Sequence, residues 1–340
     1  MIKNFETYNK NNYLIFLFES RGISDICFYY RDEIMININK ELNNFINSSN
    51  FINNKFDTKS TSLHFDFNDK KLKIKNFTIN LEMFKYKENT TGNSVANFQY
   101  AELNDKFMSG VYLNMKIYIK KLDDDFLFKI SSIILHELVH IFEFYNIKLN
   151  NKFRPKSWSI GSILPQLRTI FKNKDILNII DLLYKSLKHE ISSQLNQYYD
   201  YGKNGKKYDY LFDIIKDLNN FKVDNINEKF ISELNQIRQH IYNSIKYQTT
   251  NKNYLKDLDE DIWNKPITSD NINEFIEDLR LLFKESADYI EKKIKLVDKI
   301  LNEVVYDDYE GFLTESIYYI DKDLSIIRPV LFFLKERKDV

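Results

Sequence analysis

Residues 126–146 read FLFKISSIILHELVHIFEFYN, and their apolar side chains recur every three or four positions. That spacing is typical of an amphipathic helix, and the acidic run Asp123-Asp124-Asp125 directly before it suits a helix N-terminus. We therefore expect one helix from Phe126 to about Asn146. Within this helix, residues 136–140 read HELVH, which is an HExxH pattern.

The HELVH segment carries residue types that can bind a metal ion and move a proton. Histidines four positions apart lie on one helical face, with Cβ atoms about 5–6 Å apart, so both imidazoles can bind one zinc ion at about 2.0–2.1 Å. Glu137 lies beside such an ion, where its carboxylate can take a proton from zinc-bound water. The motif therefore predicts Zn²⁺ as cofactor, His136 and His140 as ligands, and Glu137 as the catalytic general base.

A catalytic zinc site usually has a third protein ligand. Glu143 lies one turn beyond His140 on the same face, where it would struggle to complete a tetrahedron with His136. Glu190, on the next long predicted helix, is the stronger candidate. Its neighbour His189 is an alternative, although its side chain leaves the helix about 100° away from that of Glu190. We expect Glu190 to be the third ligand.

HELVH followed by a glutamate on a second helix resembles the gluzincins, the thermolysin-like class of zinc metallopeptidases. The resemblance covers roughly residues 111–200 and implies a zincin-like fold, hydrolysis of peptide bonds, and a peptide or protein substrate. The family places its glutamate ligand in a Glu-x-x-x-Asp pattern, and Gln194 stands where that Asp would support a ligand histidine. Gluzincins often stabilise the oxyanion with a downstream His or Tyr, so His240, Tyr198 and Tyr199 are candidates, with ordinary core or surface roles as the alternative.

The strictest alternation in the chain falls directly before the motif helix, over residues 110–120. It predicts a half-exposed strand. In families of this kind the strand before the motif helix lies at the sheet edge and pairs with the extended substrate, as in strand addition generally. Val111, Leu113 and Asn114 of the segment 111–120 are therefore candidates for substrate contact, and an ordinary strand of a half-buried sheet is the alternative.

The remaining chain divides into a mixed N-terminal part and a helical C-terminal part. The fold class we expect is α+β, with a small mixed or antiparallel sheet packed on the zinc-site helix and a mostly helical C-terminal part. The predicted boundaries are 1–120, 121–200 and 201–340. N-terminal elements are β-type runs at Tyr13–Phe18 and Ile26–Tyr30, a helix over Asp32–Ile46, strands at Leu63–Phe67 and Leu72–Leu81 with a turn at Asn68-Asp69, and a loop over Glu88–Ser94.

After the motif helix, periodicity predicts helices almost throughout. The expected elements are a loop over Asn150–Gly161, a short helix Ser162–Phe171 with Pro165 in its first turn, a longer helix Asp175–Tyr199, a linker at Gly202–Lys207, and helices near Tyr208–Asn219, Asn227–Tyr247, Asn271–Val304 and Tyr309–Tyr319.

Composition excludes several classes of protein. Lys and Arg number 49 and Asp and Glu also 49, so the net charge is zero and no basic excess indicates a nucleic-acid partner. The single cysteine, Cys27, excludes an intrachain disulfide and a Cys-rich metal site. We identify no signal-peptide pattern and no run near the roughly 20 apolar residues of a membrane span, so we expect a cytoplasmic protein. The oligomeric state stays open.

The 39 Asn against 3 Ala indicate an AT-rich genome, such as that of a phage or a low-GC bacterium. A phage-encoded chain would act in the host cytoplasm. The favoured function is that of a zinc metalloendopeptidase. Two alternatives remain: a catalytically silent zincin-fold binding or structural protein, phage-encoded in one version, and a toxin-type protease.

Overall fold

A computed structural model describes residues 23–48, 58–65, 77–85, 95–104, 107–119, 122–149, 156–248 and 266–302. These residues form eight helices and one four-stranded sheet, which confirms the α+β class. The chain divides into two compact units, Met1–Asn146 and Ile147–Val340. This division differs from the predicted boundaries at 120 and 200, and the three-part organisation stays a prediction. None of the described helices is both long and apolar enough to cross a membrane.

The first described element of the first unit is helix α1, Ile23–Ile46. The β-type run that we expected at Ile26–Tyr30 is therefore wrong, whereas the helical spacing over Asp32–Ile46 is confirmed. The apolar stripe of Asp32–Ile46 extends back to Cys27, since residues at helical spacing from Cys27 onward are buried on one side of α1. Cys27 is fully buried, as expected of a small core residue. The buried stripe consists of Cys27, Tyr30, Ile34, Ile38, Leu42 and Phe45.

Four strands follow α1 and form a mixed sheet in the order β1-β2-β4-β3. They are β1 (Thr58–Phe65), β2 (Phe77–Lys85), β3 (Val95–Asn104) and β4 (Phe107–Ile119). β2 pairs with β4 in parallel, and the other two pairings are antiparallel. The mixed sheet is confirmed, but β3 had not been expected, because its sequence lacks strict alternation.

The two faces of β4 match the alternation in its sequence. Val111, Leu113, Met115, Ile117 and Ile119 are buried, and the residues between them are exposed or half-buried. Their buried partners on β2 are Phe77, Ile79, Leu81 and Met83.

The opposite face of the β2–β4 pair is held by polar and aromatic cross-strand contacts. The Asn80 Nδ2 atom donates to Asn114 Oδ1 at 2.9 Å. The Phe84 and Tyr118 rings stack with their centroids 4.9 Å apart. Asn114 is thus engaged within the sheet.

β4 is not an edge strand, which corrects the expected substrate-binding role of residues 111–120. β2 pairs along one side of β4 and β3 along the other, so backbone groups on both sides of the strand are used. Val111 and Leu113 are buried core residues and Asn114 bonds to β2. None of the three is placed to pair with a substrate backbone, because in the described sheet the outer strands are β1 and β3.

Seven helices follow the sheet. They are α2 (Asp124–Leu149), α3 (Lys156–Ile170), α4 (Lys174–Lys185), α5 (Lys188–Lys203), α6 (Tyr210–Asn219), α7 (Glu228–Gln248) and α8 (Ile272–Asn302). The predicted helices near Tyr208–Asn219, Asn227–Tyr247 and Asn271–Val304 are confirmed, since each has a continuous apolar stripe. The elements expected at Tyr13–Phe18, Asn68-Asp69, Glu88–Ser94 and Tyr309–Tyr319 lie outside the described residues.

Two expectations in the middle of the chain are wrong. The expected loop Asn150–Gly161 is helical from Lys156, so Pro165 lies in the interior of α3 and not in its first turn. The expected single helix Asp175–Tyr199 is two helices, α4 and α5. Helical periodicity continues across their junction and so does not reveal the break.

The second unit has a core of aliphatic and aromatic side chains from α3 to α8. Leu282 contributes to this core and is 2% exposed, whereas the adjacent Leu281 is 52% exposed. We expect Leu282→Ala to lower the free energy of unfolding by about 2–5 kcal/mol, because it removes buried apolar surface and leaves a cavity. Urea denaturation followed by circular dichroism measures this change.

Leu281→Ala is the matched control for Leu282→Ala, because the substitution and the helix are the same. It should change the free energy of unfolding by no more than about 0.5 kcal/mol. Equal effects of the two substitutions would contradict the orientation of α8 described above.

Candidate metal centre

Helix α2 presents the HELVH segment. The Asp123 Oδ1 atom accepts the backbone N–H of Phe126 at 3.0 Å, so the helix begins at the acidic run as expected. Apolar residues on one side of α2, among them Ile134 and Leu138, are buried. The helix predicted over Phe126–Asn146 is therefore confirmed.

The two motif histidines present their Nε2 atoms to each other. These atoms lie 3.0 Å apart, and the rings meet nearly edge to face, at 87° with centroids 4.6 Å apart. Two nitrogens at about 2.0–2.1 Å from a tetrahedral zinc ion lie about 3.4 Å apart. The observed separation of the two Nε2 atoms is close to that value.

Glu190 lies with the two histidines. The potential ligand atoms of His136, His140 and Glu190 are all within 4.8 Å of one another. His140 is 5% exposed and Glu190 6% exposed, whereas His136 is half-buried. The three residues form a group of two nitrogen donors and one carboxylate donor that can bind a metal ion. His189, the alternative ligand, is not part of this group.

The break between α4 and α5 determines where Glu190 lies. Ser186 ends α4, and its Oγ atom donates to the Leu182 carbonyl at 2.6 Å. Leu187 then adopts an extended backbone, and α5 begins at Lys188. Glu190 consequently lies in the first turn of a new helix, where the partial positive charge of the helix N-terminus stabilises its carboxylate.

Glu137 lies on α2 between the two histidines and is half-buried. It is not a member of the metal-binding group. Because Glu137 is not one of the metal-binding residues, its carboxylate can accept a proton. Its role as general base remains a proposal.

The structure gives Gln194 and Tyr198 hydrogen-bond partners within the second unit. The Tyr208 hydroxyl donates to the Oε1 atoms of Gln194 and Gln197, the latter at 2.9 Å. The Tyr198 hydroxyl donates to Asp298 Oδ1 at 2.6 Å. Burial is the largest cause that raises the pKa of Tyr198 far above its ordinary value, and the hydrogen bond to Asp298 and the negative charge of Asp298 add to this rise. The proton of Tyr198 is thus directed towards α8.

His240 and Tyr199 are likewise not part of the metal-binding group. His240 is exposed on α7, whereas Tyr199 is half-buried and packs against the core of the second unit. Their assignment as oxyanion-stabilising residues stays a prediction.

Tyr210 lies at the start of α6 and is not among the candidates that the sequence indicated. Burial raises the pKa of its hydroxyl; the Lys185 charge opposes this rise, and the Glu190 charge adds to it. Tyr210 is 43% exposed. Among 23 tyrosines, no sequence signal distinguishes it.

The chain was compared with known protein families, curated proteins and solved structures. No protein-family model, no curated protein and no solved structure matches the chain.

Proposed function

We propose that this protein is a zinc-dependent metallopeptidase. The observation that carries the proposal is the metal-binding group of His136, His140 and Glu190. Two imidazoles and one carboxylate form a donor set suited to Zn²⁺, whereas Mg²⁺ and Ca²⁺ prefer sites made of oxygen ligands alone. Three protein ligands also leave a fourth tetrahedral position for water or substrate, as catalytic zinc sites require.

Each group in this proposal has a distinct chemical task. Bound Zn²⁺ supplies Lewis-acid chemistry, because it polarises a carbonyl oxygen and lowers the pKa of a water molecule to about 7. His136, His140 and Glu190 would hold the ion. The Glu137 carboxylate would accept a proton from the attacking water and would return it to the nitrogen of the departing amine. The resemblance of HELVH to the gluzincin motif supports the same assignment.

The test of the proposal combines metal analysis with peptide cleavage. We expect the purified chain to contain about one Zn²⁺ per molecule and to cleave members of a broad peptide library. A chelator should abolish cleavage, because water then lacks the metal that acidifies it, and added Zn²⁺ should restore it. Mass spectrometry of the library identifies the cleaved bonds.

Two outcomes would count against a peptidase. A chain that binds zinc but cleaves no peptide would favour the alternative of a catalytically silent metal-binding protein. Cleavage that persists without metal would point to a contaminating peptidase or to another catalytic group. In either case a parallel preparation of Glu137→Gln should cleave at the same rate, because neither a contaminant nor another catalytic group depends on the Glu137 carboxylate.

A further inference from the structure

His189 and Glu190 form a close pair of buried, ionisable side chains at the start of α5. The His189 Nε2 atom lies 3.5 Å from Glu190 Oε1, and His189 is only 5% exposed. A buried carboxylate is unstable unless polar donors or positive charges surround it. The contact joins the His189 ring to one oxygen of the same carboxylate that contributes to the metal-binding group.

Helix α3 passes directly against the His189 ring, and it does so at a glycine. A Cβ atom added to Gly161 would lie 2.8 Å from His189 Nε2 and 2.9 Å from His189 Cε1. It would also lie 3.3 Å from Leu187 Cδ1. Contacts below 3.0 Å are essentially not tolerated, so with a larger residue at position 161 either the imidazole or the backbone of α3 must shift.

Backbone conformation does not explain a glycine at position 161. Gly205 has a positive φ, of 65°, whereas Gly161 lies within helix α3. Glycine in a helix interior is less favourable than alanine. Glycine at position 161 leaves the space that the His189 ring occupies.

We propose that His189 is a positioning residue that orients the Glu190 carboxylate for metal binding. Gly161 permits this position of the His189 ring, because glycine has no side chain that would overlap the ring. This inference rests on the metal centre described above. It assigns His189 a role through Glu190, in place of the role of alternative ligand. Groups that hydrogen-bond or orient a metal ligand typically change metal affinity by about 10–100-fold when they are removed.

The test measures Zn²⁺ affinity by competition with a chelator and the visible absorption of the Co²⁺-substituted protein. Gly161→Ala should weaken Zn²⁺ binding by about 10–100-fold and change the Co²⁺ spectrum, because the displaced ring no longer orients Glu190. His189→Ala should have a similar effect. His189→Gln, which keeps an N–H donor, should recover part of the affinity.

The double variant Gly161→Ala/His189→Ala distinguishes positioning from simple packing. It should bind Zn²⁺ as His189→Ala does, because no ring remains for the new Cβ atom to displace. Gly202→Ala is the matched control. Its Cβ atom would contact Leu301 Cδ1, so it disturbs packing without touching His189, and the Co²⁺ spectrum should remain that of the wild type.

The possible outcomes separate this inference from the proposed peptidase function. Wild-type Zn²⁺ affinity and Co²⁺ spectrum in Gly161→Ala, or additive losses in the double variant, would overturn the positioning role while leaving the metal centre intact. A wild-type chain that binds neither Zn²⁺ nor Co²⁺ would overturn the metal centre and this inference together. If Gly161→Ala does not fold, the comparison of His189→Ala with His189→Gln decides, since equal affinities in these two variants would overturn the positioning role.

Discussion

Glu137→Gln is expected to lower the rate of peptide hydrolysis by about 10²–10⁴-fold while the zinc content stays at the wild-type level. Glutamine has nearly the shape of glutamate, but its amide cannot accept the proton of the attacking water. Glu137 is also outside the metal-binding group, so its replacement leaves all three ligands in place. The measurement is kcat/KM on a cleaved library peptide, together with zinc analysis of the same preparation.

Glu228→Gln serves as the control for Glu137→Gln. Glu228 is an exposed residue in the first turn of α7, and it is not a member of the metal-binding group. Its replacement makes the same change of charge and should leave hydrolysis unchanged. Unchanged kcat/KM in Glu137→Gln would remove Glu137 from the mechanism. Equal losses in both variants would show that the change of net charge, and not the loss of a base, caused the effect.

His140→Ala is expected to abolish metal binding. The substitution leaves only His136 and Glu190 as ligands, and two ligands are too few to hold the ion. The zinc content should fall from about one ion per chain to near zero. Because an ion that binds only the folded state stabilises it, Zn²⁺ at about 1,000 times its Kd should add about 4 kcal/mol to the stability of the wild-type chain. The same zinc concentration should add nothing to His140→Ala, as thermal unfolding with and without Zn²⁺ will measure.

His240→Ala is the control for this second experiment. His240 is an exposed histidine on α7 outside the metal-binding group, so its replacement should preserve both the zinc content and the stabilisation by Zn²⁺. A His140→Ala chain that binds Zn²⁺ with wild-type affinity would show that the ion is held elsewhere. Reduced hydrolysis with full zinc content in His240→Ala would instead support its role at the oxyanion.

Much of the local structure could be predicted because its signals are local. The apolar period of residues 126–146 and of the C-terminal helices indicates their helical form, and the alternation of residues 111–119 indicates a strand with one buried face. The burial of alternate β4 residues follows directly, since successive side chains of a strand point to opposite faces.

Errors arose where a local pattern is ambiguous or where a distant contact decides. The run Ile26–Tyr30 is apolar enough for a strand, but its residues extend the buried stripe of α1. The break at Ser186 and Leu187 occurs inside a continuous helical period and depends on backbone and hydroxyl bonds to the preceding turn. β3 became visible only through its pairing with β4, which makes β4 an inner strand.

The sequence by itself determined the HELVH helix and the pair of histidines on one of its faces, because positions i and i+4 of a helix are neighbours whatever the rest of the chain does. It also indicated Glu190 as the third ligand, but spacing alone could not bring together residues 50 positions apart. Tertiary structure decided that Glu190 joins the histidines, that His189 lies against it, and that Gly161 leaves room for this ring. The physical reason is that these contacts join separate helices, whose packing no local period encodes.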